Sequence, residues 1–308
     1  MTLKMARGQL RRALMDWKAG MTAKKPANSV ADLRGGPSMY YVGPTTVFAS
    51  RRDARFSYCL YIPEEAPIDE ETAILVAVHG TDRNFINYRN YFTEFGRWKN
   101  CVVVAPLFPV GVSGDDNRDG YKYLVEGDIH YDQILLSIVD EVAERYGVRD
   151  RNFALWGFSG GGHFTNRFLL RHPERLWAAS VGSPGSVTMI DDRYDWWAGT
   201  RDYEAKFGHP LNLDALRKVA VQMVVGKADL ETWEITHKPS SRNWVEGANS
   251  AGATRPERMQ SLHDSFEKAG ISVELVLVPN MAHLSQPSAH IAASFFGRQL
   301  DKRRKTGA

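Results

Sequence analysis

The chain has 308 residues, with 39 Lys and Arg against 36 Asp and Glu, and a formal net charge of +3. That length suits one large domain or two small ones and can bury a sizeable core without staples, while so small a charge gives no case for nucleic acid as a partner. Two cysteines, Cys59 and Cys101, are too few for a disulfide framework, and no apolar run approaches the roughly 20 residues of a membrane span, so the expectation is a cytoplasmic globular protein.

In chain order, Leu10, Leu14 and Trp17 fall at i, i+4 and i+7 among Arg7, Arg11, Arg12 and Lys18, which predicts one amphipathic helix in a basic extension over residues 1–36. This extension lacks the uninterrupted apolar stretch of a secretion signal. The run RGGP at 34–37 marks a break. The segments 45–50 and 55–62 alternate and carry β-branched and aromatic residues, so they read as an antiparallel pair. Continuous apolar runs follow at 73–79, 101–106, 153–158, 176–182, 220–226 and 273–279, as parallel strands covered on both faces require. Helical patterns lie between them at 131–147, 161–173 and 255–270. The alternation predicts an α/β fold, a doubly wound, mostly parallel sheet with helices on both faces, over residues 37–300, followed by a basic tail at 301–308. Three connections, 109–130, 183–212 and 231–254, are too long for simple turns. The second and third read as lid insertions, and all three follow strand carboxyl ends, where open α/β sheets bind ligands.

The motif that carries chemistry is Gly157-Phe158-Ser159-Gly160-Gly161. As a string it is weak, but it ends an apolar strand and opens a helix, the setting of a nucleophile elbow, and glycines flank the serine where a Cβ would meet neighbouring backbone. A phosphate loop would want Lys-Ser or Lys-Thr after the glycines, whereas this chain has Gly162-His163-Phe164. The amides of Gly160 and Thr81, the latter just after His79-Gly80, are the expected oxyanion hole. His79 precedes the serine and is expected to shape that loop. Asp229 lies just past the strand 220–226, with Glu231, Asp191 and Asp192 as substitutes, and His283 follows the last strand. The order Ser, Asp, His is the one expected for an elbow of this type. His130, His163 and His172 have no acid evidently placed to orient them, and no cluster has zinc-ligand spacing.

The segments VAVHGTDRN (76–84), GFSGGGHFTNRFLLRHPERLWAASVGSPG (157–185), VVGKAD (224–229) and NMAHLS (280–285) resemble motif blocks of the α/β-hydrolase superfamily, in particular bacterial esterases of the polyhydroxybutyrate-depolymerase-like and dienelactone-hydrolase-like branches. The resemblance implies an eight-stranded sheet, no cofactor or metal, and ester-type acyl transfer to water. A dienelactone hydrolase carries cysteine where this chain has Ser159, and the cysteine framework of secreted depolymerases is missing, which argues against polymer degradation outside the cell. The expected substrate is a small or medium carboxylic ester, apolar or aromatic, contacted by Phe108, Tyr121, Tyr123, Trp196, Trp197 and Trp233 from the long loops. The same residues would serve a lactonase, acyltransferase or peptidase, and a binding protein that kept the pocket without turnover is the alternative of another class. A homodimer is compatible with the sequence.

Overall fold

The computed structural model describes residues 40–69 and 71–306, so the helix expected near the N-terminus lies outside them. The first pair of strands, β1 (Gly43–Ala49) and β2 (Ser57–Ile62), is antiparallel. Its turn is held by Asp53, whose carboxylate accepts from the backbone and guanidinium of Arg55. The strands β3 (Ala73–Val78), β4 (Cys101–Leu107), β7 (Phe153–Phe158), β8 (Leu176–Gly182), β9 (Ala220–Gly226) and β10 (Val273–Val278) correspond to the six apolar runs. A two-stranded ladder, β5 (Val125–Glu126) with β6 (Ile129–His130), folds the first long connection back on itself.

The eight-stranded sheet has the order β1-β2-β4-β3-β7-β8-β9-β10. It is parallel from β4 to β10 and antiparallel at β1–β2 and β2–β4. Every residue of β3, β7 and β8 is buried, which explains why their sequences do not alternate. β10 departs from this. It is the edge strand, mostly half-buried, with Glu274 facing out to Arg298.

One face of the sheet packs on α3 (Tyr131–Tyr146), α4 (Gly160–Arg171) and α7 (Arg255–Lys268), and the other on α1 (Phe85–Tyr91), α2 (Thr93–Trp98) and α8 (Ser285–Thr306). Two short helices, α5 (Tyr203–Phe207) and α6 (Leu213–Leu216), interrupt the connection before β9. α3 ends on Gly147 in the left-handed conformation. α7 begins with a capping box between Thr254 and Glu257. The tail expected at 301–308 is, through Thr306, the last part of α8. Lys99–Asp301 and Arg303–Asp150 ion pairs, and Arg304 donating to the carbonyls of Glu71 and Lys99, hold it against the domain.

This topology decides where a site can form. The chain leaves β3 for β4 on one side and returns to β7 on the other, so the connections at the carboxyl ends of β3 and β7 diverge and leave a crevice.

Candidate active site

Ser159 stands at the carboxyl end of β7, one residue before α4, with φ 56° and ψ −116°. A non-glycine residue in that conformation costs of order 1–3 kcal/mol and persists only where its surroundings over-determine it. Here the Ser159 amide donates to the Gly182 carbonyl at 2.9 Å and its carbonyl accepts from the His163 amide at 3.1 Å. Close backbone approach fixes the turn from both sides. A Cβ on Gly157 would lie 2.2 Å from the Gly161 oxygen, and one on Gly161 would lie 2.0 Å from the Val78 oxygen.

Gly160 sits against the loop after β3. A Cβ there would meet the Tyr121 hydroxyl at 2.1 Å and the Thr81 amide nitrogen at 3.1 Å, so the Thr81 amide nitrogen lies beside the start of α4. His79 sets that loop. Its ring is fully buried, with Nδ1 donating to the Gly80 carbonyl at 2.8 Å and Nε2 accepting from the Phe108 amide at 3.0 Å. Burial drives its pKa down to about 3, so it stays neutral. Tyr121 donates to the His79 carbonyl from the connection after β4.

Asp229 and His283 meet at the next strand ends. His283 Nδ1 lies 2.6 Å from Asp229 Oδ2, and the imidazole packs on the ring of Phe158, the residue before Ser159, with centroids 4.6 Å apart. Glu231 and Asp191, weighed as substitutes, do not take this place: Asp191 pairs with Arg193, and Glu231 is exposed. The other oxygen of Asp229 accepts from Arg255 Nη1 at 3.1 Å, both side chains being buried. The capping box that starts α7 places Arg255 in its first turn, and Glu234 approaches the same guanidinium at 3.4 Å.

The cleft beside Ser159 is small, about 50 Å³. Its walls include Thr81, Lys122, Tyr123, His163, His237 and Arg255, with Arg118, Asp119 and Glu234 also contributing. Lys122 Nζ pairs with Asp119 at 2.6 Å. Burial lowers the Lys122 pKa against the pull of Asp119. Burial also works against the charge of Asp119, but Lys122 and Arg118 beside it outweigh that and hold its pKa below the usual carboxylate range. Among the described residues, no group of three or more His, Cys, Asp or Glu is placed to hold a metal ion.

No family model matches the sequence, and no curated protein matches it. Solved structures do. A poly(3-hydroxybutyrate) depolymerase from Bordetella parapertussis superposes with a TM-score of 0.65 at 19% identity, over 82% of this chain and 89% of that one. A poly(aspartic acid) hydrolase from Sphingomonas sp. KT-1 gives 0.63 at 20% identity, over 78% and 92%. A fluorophosphonate-binding serine hydrolase from Staphylococcus aureus gives 0.54 at 12% identity, over 84% and 99%. The chain has the α/β-hydrolase fold.

Within this α/β-hydrolase fold the aromatic residues expected at the substrate separate into four groups. Tyr123 lines the cleft, with Trp197 packed on it at 5.5 Å. Phe108 is fully buried and stacks on Phe164 at 5.3 Å, so it belongs to the core. Tyr121 is equally buried, with only its hydroxyl near Gly160. Trp196 packs among Tyr203 and Phe207 as part of the loop's own core. It lines a second cavity of about 420 Å³ together with Tyr123, Trp197 and Trp244. Trp233 is 77% exposed. The apolar wall expected at the reacting centre is therefore not what the cleft presents, because charged side chains from the 109–130 and 231–255 segments occupy it.

A second correction concerns His172. It does have an acid, Asp132 Oδ2 at 2.8 Å, and although burial opposes it, hydrogen bonds donated by its ring to Asp132 and Glu174 raise its pKa. The pair lies at the far end of α4, away from Ser159, and ties that helix to α3. Sequence reasoning also missed Lys122, Asp119 and Arg255. The length of the 109–130 connection and the Thr254-x-x-Glu257 cap were the signals that bore on them.

Proposed function

We propose that the protein is a serine hydrolase that cleaves a small or medium carboxylic ester through Ser159, His283 and Asp229. The Ser159 hydroxyl attacks the ester carbonyl while His283 takes its proton. The Thr81 and Gly160 amides hold the oxyanion, and His283 returns the proton to the leaving alcohol. Water, activated by the same imidazole, then releases the acyl group. Asp229 fixes the His283 tautomer that leaves Nε2 free to act, and Arg255 fixes Asp229.

The observation that carries this reading is Ser159 at positive φ in a strand–helix turn, with an aspartate-bound histidine packed against the preceding side chain. Such a conformation has no packing purpose that an ordinary residue would not serve at lower cost. A fluorophosphonate probe is expected to label Ser159, and Ser159→Ala should lose the label while lowering p-nitrophenyl acetate turnover by several powers of ten, on the order of 10⁵-fold. Turnover that survives Ser159→Ala, or a label on another residue, would overturn the assignment.

A further inference from the structure

Long cationic side chains lie in the wall of the Ser159 cleft and against the residues that form it, and carboxylates to pair with them run short. Lys122, Arg167, Arg255 and Arg258 are all buried, at 8%, 0%, 3% and 1% exposure. Lys122 has Asp119. Arg255 has Asp229, which also serves His283, and more loosely Glu234. Arg167 donates only to the Thr188 and Ser186 hydroxyls and the Lys122 carbonyl, with its guanidinium 4.6 Å from the Tyr123 ring and 5.0 Å from that of Trp197. Arg258 donates to the carbonyls of Gly252, Gly185 and Ile235 and to the Asn249 side chain. Among the described residues, neither Arg167 nor Arg258 forms an ion pair. Arg118 at the rim adds a further positive charge 3.5 Å from Asp119.

Arg118, Lys122 and Arg255 line the cleft with Asp119 and Glu234, and Asp229 pairs with Arg255; Arg167 and Arg258 are bonded to the lining residues Lys122, Gly185 and Ile235, so five cations stand in or next to this wall against three carboxylates. Burying an uncompensated charge costs several kcal/mol, so a wall of this kind is stable at a site that an anion completes. The two histidines of the wall report the same field. Burial first, and then the neighbouring cations, hold His163 and His237 neutral. Arg255 Nε is buried without a hydrogen-bond acceptor among the described residues. The cleft has room for a group of a few atoms rather than a ring.

We infer that the part of the substrate entering the Ser159 cleft carries a carboxylate, met by Lys122 and Arg255 in the field of Arg167 and Arg258. The substrate class is then a half-ester of a short dicarboxylic acid, or an acylated hydroxy acid. This rests on the serine-hydrolase reading, but the anion site can be tested apart from it.

Two substrate pairs separate the sides of the scissile bond. Monomethyl glutarate against methyl valerate places the charge on the acyl side, and O-acetylglycolate against propyl acetate places it on the alcohol side. At least one charged member should exceed its neutral partner in kcat/KM by about tenfold or more, the worth of a hydrogen bond to a charged group. Lys122→Gln should shrink that ratio severalfold. Calorimetry on Ser159→Ala should show glutarate binding and no glutaramide binding. If no ester is turned over yet glutarate binds, the hydrolase reading fails and the anion site stands. If neutral esters are turned over as well as charged ones and glutarate does not bind, the anion site fails and the hydrolase reading stands.

Discussion

The floor of the cleft and its wall are made of different material. The floor is backbone: a serine held at positive φ, the amides of Gly160 and Thr81, and glycines packed so closely that a single methyl would collide with main-chain oxygen. The wall is side chain: Lys122, Arg255, Asp119 and Glu234, long groups held by ion pairs of 2.6 to 3.4 Å. Backbone donors are preorganised and cost nothing to reorient when charge develops on a substrate oxygen. Side-chain ions fix sign and specificity instead, and they can be exchanged without rebuilding the sheet. On the proposed reading, damage to the floor should abolish chemistry, and damage to the wall should redirect it.

Asp229 belongs to both regions, since one oxygen orients His283 and the other anchors Arg255. Asp229→Asn should therefore strike both at once and have the largest effect. An amide cannot accept from both partners as the carboxylate does, so turnover of neutral esters should fall by about 10³- to 10⁴-fold through the wrong imidazole tautomer. The variant should also unfold more easily, by about 3 kcal/mol, because Arg255 loses the nearer of its counter-charges. Steady-state kinetics and urea denaturation read the two losses separately. A loss of stability without a loss of turnover would place Asp229 in the wall alone.

Gly160→Ala tests the floor. The added methyl would overlap the Tyr121 hydroxyl, displacing either that ring or the amide expected to hold the oxyanion. A fall in kcat of about 10²-fold is expected, of the size seen when one oxyanion donor is lost. Tyr121→Phe in the same chain removes the nearest obstructing atom and should restore part of the rate. Equal activity in the single and double variants would show that the methyl acts on the Thr81 side.

The two regions also differ in how much of them could be read from the residues. Ser159 and its glycines form one local strand–turn–helix, and His283 and Asp229 each follow an apolar run in the expected order, so sequence neighbours carry the information. Lys122 and Arg255 become wall residues only because the 109–130 and 231–254 connections fold over the elbow, and charge on a long loop ordinarily signals nothing but solvent. The aromatic residues misled for the opposite reason. Phe108 ends a strand like a binding residue, yet Phe164 from α4 closes over it and makes it core. Trp233 occupies a loop like a lid residue but projects into solvent.

The smallest expected effect concerns histidines from both regions. His79 in the floor and His163 and His237 in the wall are held neutral, with burial the main cause, and His79 and His237 titrate at about 3 and about 4. Their folded pKa values lie below the ordinary value of about 6.5, so the unfolded chain binds the extra protons as pH falls below that value. Stability should decline from about pH 6.5 downward, with each such group contributing up to about 1.4 kcal/mol per pH unit. His172 acts in the opposite sense and in a different window. Its raised pKa gives a contribution fully present below about pH 6.5 and lost as pH rises through its folded value, so it bears on stability above the decline and leaves the slope below it unchanged. Denaturant midpoints at pH 7, 6 and 5 should fall progressively, and His237→Gln should flatten the fall by about a third. A midpoint that holds constant from pH 7 to 5 would mean that the wall opens to water and lets its histidines charge without unfolding, making it far looser than the floor.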